Sequence, residues 1–343
     1  MKDKLHIAIH HRPGSFSDRW LEYCQVNKIP HLIVDCLKND ILNQLDPVSA
    51  LLWHFTHGKY IETIMAREII TAVEKKGIKT FPDINTCWHF DNKIAQKYLL
   101  EAINAPLVPS HVFYQKETVM EWLGKTNYPK IFKLKNGAGS SNVRLVKNKG
   151  EAIKLCQQAF GRGFISHRGY FGDTQTKIRK TKSLPDLFAK LKRFPKYFIN
   201  AAMAKRDTPR ERGYVYFQDF MPGNQYDTRI TIIGNRAFGF TRDVRPNDFR
   251  ASGSGSISYD LKRVDMQCVG IAFEVAEKIR SQSMAFDFIK DENGKPKIVE
   301  ISYGFNSKAV YDCAGYWDRK LKWHEGYVYP EDAIIEDLLN PRQ

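Results

Sequence analysis

No run in this chain of 343 residues approaches the ~20 consecutive apolar residues that a helix needs to cross a bilayer. The start, Met1-Lys2-Asp3-Lys4-Leu5-His6-Ile7, leads straight into a strand and carries no apolar signal region. No CxxC pair occurs. The cysteines Cys24, Cys36, Cys87, Cys156, Cys268 and Cys313 are scattered, and they read as reduced thiols of a cytoplasmic protein. The GxGxxG fingerprint, the GxxxxGK[ST] loop and the GxSxG elbow are all missing. A dinucleotide fold, a Walker-type phosphate site and an α/β-hydrolase nucleophile are therefore not indicated. Acidic residues are also scarce: 38 Asp and Glu stand against 53 Lys and Arg, a net charge of +15. That imbalance predicts attraction to anions such as a nucleoside triphosphate, a phosphorylated substrate, an anionic membrane surface or nucleic acid. No recognised nucleic-acid module accompanies it, so nucleic acid is the least expected partner.

What is present begins with two carboxylates. Met284-Ala285-Phe286-Asp287-Phe288-Ile289 and Pro296-Lys297-Ile298-Val299-Glu300-Ile301 are apolar, partly alternating runs around Asn293-Gly294. An Asn-Gly turn between such runs predicts a hairpin. With Asn293 and Gly294 as the two turn residues, Asp287 falls opposite Glu300, with Cβ atoms roughly 5 Å apart. Facing like charges are destabilising without compensation, for which a divalent cation such as magnesium is the obvious candidate; the alternative is a slipped register, with one solvated carboxylate beside an unrelated one.

The first hundred residues alternate strand and helix. Strands are expected over 5–10, 31–36, 50–55 and 78–81, and helices over 17–27 and 60–76, a pattern that predicts a mostly parallel sheet. Asp91 is placed as the N-cap of a helix running to about Ala102, with Lys93 and Lys97 one turn apart. A strand from Pro129 to Leu134 carries Lys133. The small-residue loop from Lys135 to Asn142 follows, then a return strand from Val143 to Val146. Such a loop lets backbone N–H groups approach phosphate oxygens. Further along come Tyr214 to Met221, the strand from Asp227 to Ile233, the Gly234-Asn235 turn with Ala237 to Arg242, and a helix from Val264 to Ser281.

The order of these pieces resembles the ATP-grasp superfamily. A lysine at a helix start comes first, then a lysine on a strand before a Gly-rich loop. Gln218-Asp219-Phe220-Met221, Asp227-Thr228-Arg229, Phe249-Arg250 before a small-residue loop, and the Asp287…Glu300 hairpin follow. The closest likeness is to the ribosomal-protein glutamate ligase type, over about residues 90–305. The resemblance implies an α/β plus α+β protein: an ATP-grasp fold behind an N-terminal α/β domain, with the nucleotide held between two subdomains. It implies domains over 1–88 and 89–310 with an aromatic-rich tail over 311–343. ATP and Mg2+ are the implied cofactors. Lys93 and Lys133 match the phosphate-binding lysines, and Gly137, Gly139, Ser140 and Ser141 lie in the phosphate-covering loop. Gln218, Asp219, Phe220 and Met221 match the adenine segment, and Asp227 lies near the ribose contact. Asp287 and Glu300 match the magnesium ligands, while Arg229, Arg245 and Arg250 match arginines that meet substrate or the transferring phosphate.

Two departures stand out. The family's Glu-x-Asn reads Glu300-Ile301-Ser302 here, so Ser302 takes the place of an asparagine ligand. The stretch 161–212 is unusually long and basic, including Lys177, Arg179, Lys180 and Lys182, and reads either as a substrate lid or as a partly disordered insertion. The implied activity joins a carboxylate to an amine through an acylphosphate, releasing ADP and phosphate. Phosphorylation of a sugar or other hydroxyl, and polyanion binding without catalysis, are the alternatives. The aromatic tail offers flat faces for a glycan-linked substrate or a cap for its own core. His54 and His57 read as packing or surface residues.

Overall fold

The computed structural model describes residues 6–137, 142–165, 210–245 and 256–340. Gly139, Ser140, Ser141 and Arg250, and the basic stretch from 166 to 209 with Lys177, Arg179, Lys180 and Lys182, lie outside the described residues. No helix among the described residues is long and apolar enough to cross a membrane.

The described strands, in chain order, are β1 Ile7–His10, β2 His31–Val34, β3 Ala50–Leu52, β4 Lys79–Phe81, β5 Ser110–Phe113, β6 Lys130–Lys133, β7 Val143–Val146, β8 Phe164–Ile165 and β9 Arg210–Glu211. They continue as β10 Val215–Asp219, β11 Tyr226–Ile233, β12 Arg236–Asp243, β13 Ile257–Ser258, β14 Ser283–Lys290, β15 Pro296–Ser302, β16 Gly315–Trp317 and β17 Trp323–Glu325. The chain divides into two compact units, one of residues 1–90, 98–107 and 221–343, the other of residues 91–97 and 108–220.

The first unit holds two sheets. The parallel sheet runs β2-β1-β3-β4, as alternating strands and helices require. Its strands are shorter than the apolar runs suggest, and Trp53 and Phe55, past the end of β3, are buried. Helices Phe16–Val26 and Tyr60–Lys75 flank this sheet in the chain, and Ser15 caps the first through the Ser17 N–H. The larger sheet runs β15-β14-β11-β12-β16-β17, with β13 beside β12. One of its faces carries Ile230, Ile232, Phe286, Phe288, Ile298 and Ile301, all buried in the core shared with helix Met266–Lys278. The tail is part of this unit. β16 and β17 extend the sheet, with the Trp317 and Trp323 rings 4.8 Å apart, while Tyr311 stacks on the exposed Tyr329 at 4.3 Å. Helix Pro330–Leu339 returns to the N-terminal part, where Arg19 forks Asp332 at 2.7 and 2.6 Å.

The second unit is an antiparallel sheet, β5-β10-β6-β7, backed by helices Lys116–Lys125 and Lys149–Phe160. Val119, Leu123, Phe132, Leu134, Cys156 and Phe217 fill the space between. β8 and β9 form a separate two-stranded pair. All six cysteines are free and buried.

Candidate functional site

In the second unit the residues before and after the glycine-rich loop converge. Tyr216 pairs with Lys133 and Gln218 with Ile131, so Lys133 and Gln218 share one face of the sheet. Lys133 Nζ donates to Gln218 Oε1 at 2.6 Å, and Gln218 Nε2 donates to Ser110 Oγ at 3.1 Å. All three side chains are buried. Lys93, at the start of helix Lys93–Ala102, is buried as well, and its Nζ donates to Gly137 O at 2.7 Å. Two ammonium groups are thus held at the root of the loop. Asp219 accepts from Lys130 Nζ at 2.6 Å and lies 3.4 Å from His111 Nε2. Phe220 and Met221 follow β10, ahead of the turn at Pro222-Gly223.

Asp91 does not cap the helix. Ala95 N donates to Asn92 Oδ1, and Asp91, with φ of +51°, turns its carboxylate to Gly137 N at 2.7 Å. Asn92 satisfies the helix end, and the loop, folding back 46 positions on, brings Gly137 N to the Asp91 carboxylate. Gly137 has φ of +122°, and a Cβ there would sit 2.2 Å from Asn142 Nδ2. That amide donates to Asn136 O at 2.8 Å. The entry to the loop is therefore closely built around a missing side chain.

In the first unit, Asp287 pairs with Glu300, although not by the route the sequence suggested. The turn is not a two-residue Asn-Gly turn. Lys290 pairs with Pro296 and Asp291 N donates to Lys295 O, leaving Glu292-Asn293-Gly294 as a three-residue turn with Gly294 at φ +74°. Asp291 Oδ1 drives this by accepting from Asn293 N and Lys295 N. The one-residue offset is cancelled by a bulge between Asp287 and Phe288, with Val299 as the extra residue.

Register places Asp227, Arg229, Arg242, Asp287, Glu300 and Ser302 on one sheet face. Arg229 grips Asp287 with Nε to Oδ1 at 2.7 Å and Nη2 to Oδ2 at 2.8 Å. Arg242 forks Asp227 at 2.8 and 2.5 Å and also reaches Asp287 Oδ1 at 2.9 Å. Burial works to raise the Asp287 pKa, but the Arg229 and Arg242 charges outweigh it and hold the carboxyl well below its ordinary range. Burial raises Asp227 against its Arg242 bond. Asp227, which the resemblance places near the ribose contact, has both carboxylate oxygens in the Arg242 fork, the geometry that suits a guanidinium best. Arg229, expected to meet substrate, is here paired with a carboxylate. Arg245 follows β12, partly exposed. Ser302 Oγ donates to Gly304 O at 2.7 Å and keeps its acceptor lone pairs.

The donor set suits magnesium. Carboxylate and hydroxyl oxygens are hard ligands. The arginines take three of the roughly four acceptor positions on Asp287, twice on Oδ1 and once on Oδ2, and so leave Oδ2 one. Among the described residues no group of three or more His, Cys, Asp and Glu forms an alternative metal cluster. His54 is a packing residue, its ring stacked on Phe16 at 3.7 Å.

Arg242 carried no expected role. The Gly234-Asn235 turn could have found it, since equal steps back along both strands bring Asp227 opposite Arg242.

No family model matches the chain. Among curated proteins it is 22% identical over 269 residues to the alpha-aminoadipate–LysW ligase LysX of Saccharolobus solfataricus, covering 74% of this chain and 81% of that one. Among solved structures it resembles a D-alanine–D-alanine ligase from Bacillus anthracis complexed with ATP, with a TM-score of 0.58, 12% identity, and 99% and 98% of the two chains covered. It also resembles a RimK domain ATP-grasp protein from Sphaerobacter thermophilus, with a TM-score of 0.55, 13% identity, and 97% and 98% covered. A biotin carboxylase domain from Hydrogenobacter thermophilus, in complex with MgADP and bicarbonate, matches with a TM-score of 0.59 and 12% identity over 98% of this chain and 70% of that one. The chain has the ATP-grasp fold that the order of its sequence motifs implies.

Proposed function

We propose that the protein is an ATP- and magnesium-dependent ligase that joins a carboxylate to an amine and releases ADP and phosphate. The observation that carries this reading is the single sheet face with Asp287, Glu300 and Ser302, in a fold shared with ATP-bound ligases. Asp287 and Glu300 would hold the metal, with Ser302 Oγ as a third oxygen. Magnesium, when bound there, supplies charge neutralisation for the triphosphate and its γ-phosphoryl transfer.

The chain's own residues supply the rest. Lys93 and Lys133 are buried ammonium groups that bind phosphate oxygens. Gly139, Ser140 and Ser141, which lie outside the described residues, are assigned to the phosphate-covering role that the resemblance implies. Gln218 to Met221 present backbone to the adenine. Arg242 and Asp227 position Asp287 by fixing its rotamer and charge, and Arg229 shares that work. Arg245 and Arg250 are assigned to the substrate carboxylate or the transferring phosphate. The acceptor carboxylate takes the γ-phosphoryl group, and the amine then displaces phosphate from the acylphosphate. No protein nucleophile is required. The six buried thiols without a disulfide suit a cytoplasmic enzyme.

The test is an assay of ADP and phosphate release over a panel of amino acids, amines and sugar acids. Equal ADP and phosphate, dependent on both a carboxylate and an amine, is the expected result. ADP without free phosphate, with a hydroxyl acceptor, would make it a phosphotransferase.

A further inference from the structure

The helix-covered face of β5-β10-β6-β7 carries an open cavity of about 310 Å³. Phe132 and Phe164 form its apolar floor, with ring centroids 5.3 Å apart, and Arg144, Arg162 and Arg210 stand around it. The cavity is on the opposite face from Lys133. Phe132 is the neighbour of Lys133 in the same strand and points the other way, and Arg144 pairs with Phe132 in register.

The arginines are arranged, not scattered. The Arg144 guanidinium lies 5.9 Å from the Phe164 ring centroid. Arg210 Nη1 donates to the carbonyls of Arg162 and Gly163, both at 3.3 Å, which fixes it across the β8-β9 pair. Among the described residues no carboxylate lines the cavity or pairs with any of the three. Three cations around one hollow repel one another, and a bound anion is what offsets that repulsion.

We infer that this cavity is a second anion site, for a small molecule that carries a phosphate group on a flat apolar body. Guanidinium forks match phosphate oxygens, and the two phenylalanine rings match the body. The volume lies at the small end of the ~300–1,000 Å³ range of ligand cavities. The inference does not depend on the ligase reading: the cavity lies on the opposite sheet face from Lys133 and Gln218 and, among the described residues, meets the glycine-rich loop only at Asn142.

The test is calorimetric titration of the full chain with phenyl phosphate, in the presence of magnesium and a saturating non-hydrolysable ATP analogue. Binding is expected in the parent and none with phenol. The triple variant R144Q/R162Q/R210Q should bind at least about tenfold more weakly, the equivalent of one lost charge-assisted hydrogen bond. Its affinity for the ATP analogue should be unchanged. A second variant, R144K/R162K/R210K, keeps the charge but loses the fork, and should bind phenyl phosphate less tightly than the parent. It decides the matter if the glutamine variant melts early. No binding in the parent, or equal affinity in the parent and the folded variants, overturns the site.

Discussion

Arg229 and Asp287 face each other across β11 and β14 and close two hydrogen bonds of 2.7 and 2.8 Å. Arg242 adds a third contact to the same carboxylate at 2.9 Å. Asp287 is therefore the anion that holds two arginines in place as well as the proposed metal ligand. On the sequence alone, Asp287→Asn removes a ligand at constant volume and spares the fold. The ion network changes that expectation. Removing the carboxylate from a mostly buried pair should cost about 3–5 kcal/mol, read as a lower urea midpoint.

Glu300→Gln tests the metal role at the other proposed ligand. Both variants should lose magnesium-dependent ATP turnover by about 10²-fold or more, since a metal ligand is worth several kcal/mol to the transition state. Asp287→Asn should in addition lose the stability of the buried Arg229–Asp287–Arg242 network. Normal turnover in Glu300→Gln, measured by ADP release, would remove the hairpin from the metal site.

Lys133→Met should weaken the affinity for a non-hydrolysable ATP analogue by about tenfold or more, because a charge-assisted hydrogen bond is worth ~1.5–3 kcal/mol. The same change strands Gln218 Oε1 in a buried position, so a stability loss of about 1–3 kcal/mol should accompany it. Unchanged calorimetric affinity would mean that the phosphates lie elsewhere.

Gly137→Ala should disturb the loop. Its φ of +122° is strained for any side chain, and the new Cβ would collide with Asn142 Nδ2. The conformational cost is about 1–3 kcal/mol. Adding Asn142→Ala removes the collision but not the strain, so the double variant should recover only part of the lost ATP affinity.

His89 gives a pH signature. Burial, with the Arg67 charge adding to it, lowers its pKa to about 4. The unfolded chain titrates near ~6.5 and so binds this proton first as pH falls. The stabilising contribution is complete above ~6.5 and is lost as pH drops toward 4, at up to about 1.4 kcal/mol per pH unit. Urea midpoints of the parent should fall over that window more steeply than those of His89→Gln. Parallel curves would show that other groups carry the acid sensitivity.

What depends on near neighbours was legible in the residues. Short apolar runs marked β1 to β4, β6, β7, β10 to β12, β14 and β15, helical spacing marked Tyr60–Lys75, and the order of Lys93, Lys133, Gln218 and Asp287 carried the resemblance to the ATP-grasp fold. Tertiary structure decided what depends on partners far apart in the chain. The Asp287–Glu300 pairing held only because a longer turn at Asp291 and a bulge at Val299 cancel, and neither is visible in an alternation pattern. The commitment of Asp91 to Gly137, 46 positions away, competes with helix capping, and the winner is set by where the loop folds back. The same holds for Arg229, Arg242, Asp227 and Asp287. A charged residue's role follows from which opposite charge is within reach once water is excluded, and only the assembled sheet fixes that distance.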